Sequence, residues 1–350
     1  MHLHRARAPG EARGAGRGGD GLTDARLATA DEEARWDDLV LATNRAHILQ
    51  TRPWADAKAL TGWRAERYVL DDGGIAQVLL KPLRFGLTMA YAPRGPLAVG
   101  ALGDAIAALR RALARHRCVA LLCDPEVPDS DDLMRAVARS GARRSPVFVQ
   151  PRRTLLLDPE IDPDLLLKAM RKKTRQYIHK AERAGVVTEE TDDLERFHRV
   201  LRIVGERDRF AVHSVEYLER LRAGFGERLH VLMARIDGED VGALMLVRMA
   251  ERAWELYGGW SGTHAEERPF YLLKWRAIQR MRQLGVARYD MWGLAETDAP
   301  ADPMAGVTEF KLGFGGDVVT WIGALEVPVR RWLFPVWQLA GRRRLARAAA

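Results

Sequence analysis

One lysine in this sequence has the surroundings expected of a catalytic cation. Lys311 lies between Phe310 and Phe314 in a glycine-rich run, residues 306–316. Glycine lets backbone and ligand approach closely, and an ammonium beside apolar surface keeps a strong field that stabilises an oxyanion or a phosphate. The alternative is a helical packing stripe, in which Phe310 and Phe314 at i and i+4 face the core and Lys311 is solvent-exposed.

A basic segment at residues 165–185 is the second candidate. The segment has one acidic residue and seven basic residues, which are Lys168, Arg171, Lys172, Lys173, Arg175, Lys180 and Arg183. On a helix, the apolar residues of the segment form a packing side while the cations face outward. This charge favours a phosphate- or RNA-binding role, and the alternative is a solvated helix face.

Lys58 and His213 are candidates in other parts of the chain. Pro53 is expected at the first position of a short helix that carries Lys58 near its end. The alternative for this lysine is to lay its stem along apolar surface and keep the ammonium in water. His213 precedes Tyr217, and Ser214 between them is expected to cap the next helix.

Composition limits the class of protein without choosing a partner. The chain has 350 residues, which is enough for two domains, and 47% of them are hydrophobic. The net charge of +8 and the pI of about 9.7 favour an anionic partner. Cys118 and Cys123, five residues apart on a predicted apolar strand, are expected on opposite faces as buried reduced thiols of a cytoplasmic protein. No apolar run is long enough to span a membrane, and no secretory signal is recognisable.

Several common catalytic motifs do not occur, so we expect no cofactor and no metal. Residues 282–287 match the letters of the pyrophosphate motif of acetyl-CoA-dependent GNAT transferases. They are predicted to end a helix and enter a strand, which places Gly285 as a helix cap and leaves no cradle of amides. The sequence has no phosphate-binding loop, no serine nucleophile elbow and no Cys/His metal spacing.

The elements that must position these residues follow one order twice, about 165 residues apart. A hairpin, a strand, a helix and a strand are predicted in each half, which indicates two similar α/β domains. In the first half these segments are 65–70, 75–80, 87–91, 102–116 and 119–123. In the second half they are 229–235, 241–248, 254–259, 270–284 and 288–292.

The predicted domain boundaries follow from this repeat. Residues 1–30 are expected to be a disordered basic tail, and residues 342–350 a second basic tail. The first domain takes residues 31–153 together with 318–341, and the second takes 154–317. Near the end, residues 329–340 are rich in aromatic and apolar side chains, which either dock on the first domain or lie at a membrane interface with arginines on phosphates.

Four motifs occur in the order in which one known family carries them. They are I-L-Q-x-x-x-W-x-x-x-K at 48–58, Y-A-P-R-G-P from Tyr91, K-x-T-R-x-x-I-x-K-A-E-R-x-G-V at 172–186, and the stretch 289–316 with Y-D-x-W-G and F-K-x-G-F-G-G. Together they resemble the FemABX family, whose members move amino acids from aminoacyl-tRNA onto peptidoglycan precursors. The resemblance implies an α/β (α+β) fold of two tandem GNAT-like domains, with a C-terminal segment returning to the first domain and no coiled-coil arm.

The resemblance also implies roles for the candidate residues. Lys58 binds the diphosphate of the precursor, Tyr217 joins it from the second domain, and Tyr91 belongs to the same substrate site. The family has an arginine where this chain has His213, so Arg209 or the cluster of Lys172, Lys173 and Arg175 is expected to replace it or to bind tRNA phosphates. Phe310 and Lys311 match a Phe-Lys pair near the aminoacyl ester.

The function expected from this resemblance is tRNA-dependent aminoacyl transfer to the stem-peptide amine of a peptidoglycan precursor, which forms interpeptide bridges in the cell wall. Expected partners are aminoacyl-tRNA and a UDP-linked or lipid-linked muropeptide. The expected location is the cytoplasm, with peripheral contact at the inner face of the membrane. The alternatives are a GNAT N-acyltransferase that uses acyl-CoA, a FemAB-like enzyme acting on another amine, and a non-catalytic RNA-binding module.

Overall fold

The computed structural model describes residues 23–338, which form two α/β halves of the same design. The first half contains β1 (Ala25–Leu27), α1 (Ala30–Ala34), α2 (Trp36–Ala42), α3 (Arg52–Ala59), β2 (Arg64–Leu70), β3 (Ile75–Pro82), β4 (Thr88–Ala92), α4 (Leu102–Leu113), β5 (Cys118–Cys123), α5 (Asp131–Ala138) and β6 (Arg143–Arg144).

The second half begins with a strand and a basic helix pair. It contains β7 (Arg153–Leu157), α6 (Pro163–Ala169), α7 (Lys172–Arg183), β8 (Val187–Glu190), α8 (Leu194–Asp208), α9 (Val215–Phe225), β9 (Leu229–Ile236), β10 (Glu239–Met249), β11 (Arg252–Trp260), α10 (Pro269–Gln283), β12 (Arg288–Gly293), α11 (Ala305–Leu312) and β13 (Asp317–Thr320). The chain then returns to the first half as β14 (Leu325–Pro328) and α12 (Phe334–Val336).

The two sheets have matching strand orders, β1-β2-β3-β4-β5-β14-β6 and β8-β9-β10-β11-β12-β7-β13. In each sheet the fourth and fifth strands run parallel, while the other pairs are antiparallel. The helix between those parallel strands is α4 in one half and α10 in the other, and each buries an apolar face. The predicted pair of similar domains is therefore confirmed, and β14 from the C-terminal segment lies between β5 and β6 of the first sheet.

Several sequence-based boundaries need correction. Residues 25–27, assigned to a disordered tail, form β1, while residues 1–22 and 342–350 of the predicted tails lie outside the described residues. β13 pairs with β7, so the chain leaves the second sheet after Thr320 and not at residue 318. The basic segment is two helices, because Met170 is extended and buried and thereby separates α6 from α7.

Both cysteines are buried, but they do not lie on opposite faces. Cys118 and Cys123 belong to one apolar cluster of the first half. The pairing of β4 with β5 shifts register between Thr88 and Ala90, and an irregularity of this kind reverses the alternation of faces. Among residues 23–338 no helix is long and apolar enough to cross a membrane.

The largest hydrophobic cluster joins the two halves. It includes Ile48 and Leu79 from the first half and Phe197 and Leu221 from the second. Within it α3 packs against α9 so closely that a Cβ at Gly224 would lie 2.7 Å from the Cβ of Pro53. Since real Cβ atoms do not approach backbone-bound carbon so closely, glycine is what allows this contact.

We expect Gly224→Val to lower the free energy of unfolding by about 1–3 kcal/mol, because the added side chain overpacks the contact with α3. The matched control is Ala223→Val, which makes the same kind of change at an exposed position of the same helix. Chemical denaturation measures both. Equal stability of the two variants would contradict the close packing of α3 and α9.

Candidate active site

Lys58 lies at the boundary between the two halves. The helix α3 has its proline in the first turn, as predicted, and Lys58 in its last turn. The side chain is only 5% exposed. Its Nζ lies 4.9 Å from the ring centroid of Trp54 and 5.4 Å from that of Tyr217, which belongs to the other half. The structure thus brings Lys58 and Tyr217 together, and the exposed, snorkelling alternative is wrong.

The ammonium of Lys58 has no carboxylate partner among residues 23–338. Burial, followed by the positive charge of Lys81, lowers the pKa of Lys58 to about 8. Lys81 itself donates from Nζ to the carbonyl of Thr61 at 2.8 Å and lies over the ring of Trp63. Two neighbouring cations without an acid make a site that favours an anion.

His213 and Tyr217 are fixed by the start of α9. The hydroxyl of Ser214 accepts from the backbone N–H of Tyr217 at 3.3 Å, which is the predicted cap. The ring of His213 stacks on Tyr217 with 3.9 Å between centroids. Burial, and then the charge of Lys58, lowers the pKa of His213 to about 4. His213 is therefore neutral near pH 7 and does not replace an arginine as a cation.

A β-bulge brings Tyr257 to the same site. Met245 pairs with Tyr257 and Leu246 with Glu255, so Leu256 is the extra residue of β11. The bulge reverses the alternation of faces, and Tyr257 therefore points to the domain boundary. Its hydroxyl donates to the hydroxyl of Tyr217 at 3.4 Å. Sequence analysis missed Tyr257, because regular alternation without a bulge places Tyr257 on the same face as Glu255.

A cavity of about 220 Å³ lies beside these rings. Its walls are mostly apolar, with His213 and Tyr257 as the polar side chains. Arg209, one of the two predicted substitutes for the family's arginine, follows α8 and is exposed; no contact among the described residues joins it to Lys58 or Tyr217. The structure therefore does not place Arg209 in the site.

Tyr91 is buried in the first half, and its hydroxyl already has partners. The hydroxyl donates to Asp124 at 2.8 Å and accepts from the amide of Gln150 at 3.3 Å. Burial raises the pKa of Tyr91, so it stays protonated. Asp124 also accepts from the backbone N–H of Arg94 at 2.6 Å, which closes this end of β4 and β5.

Lys311 is buried in the second half. It lies in the last turn of α11, is 9% exposed, and donates from Nζ to the carbonyl of Gly293 at 2.8 Å. Phe310 and Phe314 do pack against each other, with Phe310 also at 4.8 Å from the ring of Tyr271. The packing stripe is thus present, but the exposed lysine expected with it is not.

Burial, and then the charge of Lys274, lowers the pKa of Lys311 to about 8. Glu255 and Asp290 oppose this shift. Glu255 forms a buried ion pair with Lys274 and accepts from the hydroxyl of Tyr289 at 2.5 Å. Because its carboxylate is already engaged by two donors, Glu255 neutralises Lys311 only in part, and the ammonium keeps a field for a reacting group.

The parallel strands β11 and β12 separate before the end of β12, where Lys311 is bonded to Gly293. β11 and β12 pair from Arg252 and Arg288 to Trp254 and Asp290, and within the described residues no pair joins them beyond that point. Glu255 lies on the α10 side of the sheet, whereas Tyr257 faces the first half. The surroundings of Lys311 and those of Lys58 therefore lie on opposite faces of the sheet, next to the place where the two strands separate.

The basic helix α7 begins next to α11. The N–H of Arg171 donates to the carbonyl of Gly313, just after α11, at 2.9 Å. Lys172 and Lys173 are exposed at this start and form no ion pair within residues 23–338. Arg175 turns inward and donates to backbone carbonyls at the end of α6, so its guanidinium has a structural partner already.

A buried polar network across the domain boundary was not anticipated from the sequence. Arg252 donates to Glu126 at 2.7 Å, and His47 lies 3.4 Å from the same carboxylate. Burial alone would raise the pKa of Glu126, but Arg252 and His47 hold it well below its usual value. Burial, with Glu126 nearby, raises the pKa of Asp290 to about 6. Partners so distant in sequence leave no local signal.

Comparison with known proteins adds similarity in sequence. The model of the family described as "Acetyltransferase (GNAT) domain" matches residues 168–312. The lipid II:glycine glycyltransferase of Staphylococcus aureus strain MRSA252 is 28% identical over 208 residues, covering 53% of this chain and 49% of the relative. The chain thus spans about half the length of the curated relatives it matches.

Solved structures agree with the tandem architecture. The crystal structure of FemX superposes with a TM-score of 0.78 at 20% identity, covering 91% of this chain and 99% of FemX. A tandem GNAT protein from the clavulanic acid biosynthesis pathway gives a TM-score of 0.53 at 15% identity over 88% of this chain and 98% of that one. The fold is therefore that of two tandem GNAT-like domains.

We expect Lys58→Met to raise the pKa of His213 from about 4, since the positive charge that disfavours protonation is removed while the burial remains. NMR titration of labelled histidine measures this pKa. Lys180→Met, a change at the surface helix α7, is the control and is expected to leave it unchanged. A His213 that is already protonated at pH 6 in the unmodified protein would refute this picture of the site.

Proposed function

We propose that this chain, a member of the FemABX family, transfers an amino acid from aminoacyl-tRNA to the stem-peptide amine of a peptidoglycan precursor. The observation that carries the proposal is the buried ammonium of Lys58, which lies on Tyr217 across the domain boundary without an acidic partner among residues 23–338. A diphosphate is the kind of group that such a site binds.

The acceptor binds on the side of the first domain. Lys58 and Lys81 supply the positive charge, and Lys81 takes the role for which Arg209 or the cluster of Lys172, Lys173 and Arg175 is the sequence-based prediction. His213 is neutral, so it contributes stacking and a hydrogen bond and no charge. The adjoining cavity of about 220 Å³ offers mostly apolar walls to a neighbouring part of the acceptor.

The aminoacyl-tRNA binds on the side of α7 and α11. Phosphates meet Lys172 and Lys173 at the start of α7, where backbone N–H groups add partial positive charge. Because Arg171 is joined to Gly313 just after α11, a terminal ribose held there lies close to Phe310 and Lys311. The carbonyl of Gly293 fixes the direction of Lys311, and Phe310 packs on Tyr271.

The reaction takes place where β11 and β12 separate. The neutral amine of the stem peptide attacks the carbonyl carbon of the ester, and a new amide bond forms. Lys311 stabilises the oxyanion, the bond to the 3′ oxygen breaks, and the proton lost by the amine passes to that leaving oxygen. Positioning of the two substrates from opposite sides of the sheet supplies much of the rate.

Lys311→Met is expected to reduce kcat for aminoacyl transfer by about a hundredfold to a thousandfold, because one stabilising donor at the oxyanion is lost. The assay follows radiolabelled amino acid from charged tRNA to a nucleotide-linked muropeptide. The variant should remain folded and keep its KM for the acceptor, since it replaces a desolvated charge by an apolar side chain of similar length.

The same assay separates the alternatives. Near-normal turnover of Lys311→Met would refute the role given to this lysine. Transfer by the unmodified protein from acetyl-CoA, and not from charged tRNA, would instead identify a GNAT N-acyltransferase. Retention of tRNA without transfer to any amine would identify an RNA-binding module.

Lys58→Met is expected to raise the acceptor KM roughly tenfold to a hundredfold, the value of a hydrogen bond between charged groups. In the unmodified protein the amine of Lys58 is protonated and charged below its pKa of about 8, and it loses that charge as the pH rises through this value. The acceptor KM should therefore increase above pH 8. The variant has no such charge to lose, so an equal alkaline rise in its KM would contradict the assignment; Lys180→Met is the control.

A further inference from the structure

Two aromatic side chains at one edge of the first domain project into solvent. Phe85 is 87% exposed and Trp332 is 75% exposed. Phe85 lies at the tip of the loop between β3 and β4, with φ of 60°, a conformation that is strained for a bulky residue. A strained backbone that holds an apolar ring in water points to a function for that ring.

The loop with Phe85 and the turn with Trp332 border the same end of β5. The loop leads into Thr88, whose N–H donates to the carbonyl of Arg117, the residue before β5. The turn follows Arg330, whose N–H donates to the carbonyl of Val119 inside β5 at 3.1 Å. Both segments also pack leucines onto the large shared core, so their positions are fixed. We name these two segments, residues 83–87 and 330–333, the aromatic edge.

Arginines flank the two rings along the chain, and the guanidinium of Arg117 lies beside Gly86. Arg84 and Arg331 are exposed members of the aromatic edge, and Arg117 is exposed beside it. Within residues 23–338 none of the three forms an ion pair with a carboxylate. Glu66, an acid at this end of the sheet, is already bonded by Arg64 and by neighbours of Arg117. Exposed aromatic rings among unpaired arginines are what an anionic lipid surface binds.

We propose that the aromatic edge docks on the surface of a bilayer that contains anionic lipid. Phe85 and Trp332 enter the headgroup layer, and the arginines bind lipid phosphates. The half-buried Leu83 and Leu87 extend the apolar area beside the rings, which suits acyl chains better than a nucleic acid.

Docking in this way orients the proposed acceptor site, and this part of the inference rests on the proposed function. Lys81 stands two residues before Leu83, at the base of the loop, and donates from Nζ to the carbonyl of Thr61, whose N–H donates to the carbonyl of Lys58. The two cations therefore lie next to the membrane-facing edge. A diphosphate that is anchored in the bilayer through a lipid reaches them without leaving the headgroup layer, so the acceptor of this chain is a lipid-linked precursor.

The test is cosedimentation of the full chain with vesicles of phosphatidylglycerol and phosphatidylcholine, and with vesicles of phosphatidylcholine alone. The unmodified protein is expected to bind the first kind about tenfold or more tightly. The variants Phe85→Ser/Trp332→Ser and Arg84→Gln/Arg331→Gln should each weaken that binding about tenfold or more. Matched controls are Phe148→Ser and Arg282→Gln, which change exposed residues elsewhere and should bind normally.

Equal binding by the edge variants and the unmodified protein overturns the proposal, and so does a loss of tRNA retention with vesicle binding intact. Thermal unfolding confirms that each variant is folded. Transfer to a soluble nucleotide-linked acceptor is measured in parallel and should be unchanged in the edge variants, whereas transfer to the lipid-linked acceptor in vesicles should fall. If the unmodified protein transfers to neither acceptor yet binds vesicles through the edge, the proposed function fails and the docking surface stands.

Discussion

The contact between α3 and α9 is the constraint on which the site depends. Gly224 lets the two helices approach until only a hydrogen fits against Pro53, and the apolar cluster around them belongs to both halves. Lys58 is buried at this contact, and its ammonium is stabilised there by the rings of Trp54 and Tyr217. An ammonium held so keeps its charge near pH 7 and, since no carboxylate satisfies it within the described residues, remains available to an anion.

The two halves share a design but differ in how far their parallel strands stay paired. In the first sheet, β4 and β5 pair as far as Ala92 and Cys123, and Asp124 ties the next residues together through Tyr91 and Arg94. In the second sheet the corresponding strands separate after three pairs. Lys311 belongs to the second half, the one whose parallel strands separate.

Much of this arrangement was predictable, because local patterns carried it. The proline and lysine of α3, the Ser214 cap and the repeated order of strands and helices all follow from neighbouring residues. What the sequence did not reveal depends on irregularities and on distant partners. The bulge at Leu256 turns Tyr257 to the other face, and the network of Glu126 joins residues more than a hundred positions apart. Regular alternation places Tyr257 on the wrong face, and composition does not show which distant residues meet.

The position of β14 in the sequence has a consequence for folding during translation. This strand fills the place between β5 and β6, although it is translated after every strand of the second sheet. During translation the first sheet therefore keeps an unpaired edge at β5 after all strands of the second sheet have been made. The first sheet, although its strands β1 to β6 are translated first, is therefore the later of the two to be completed.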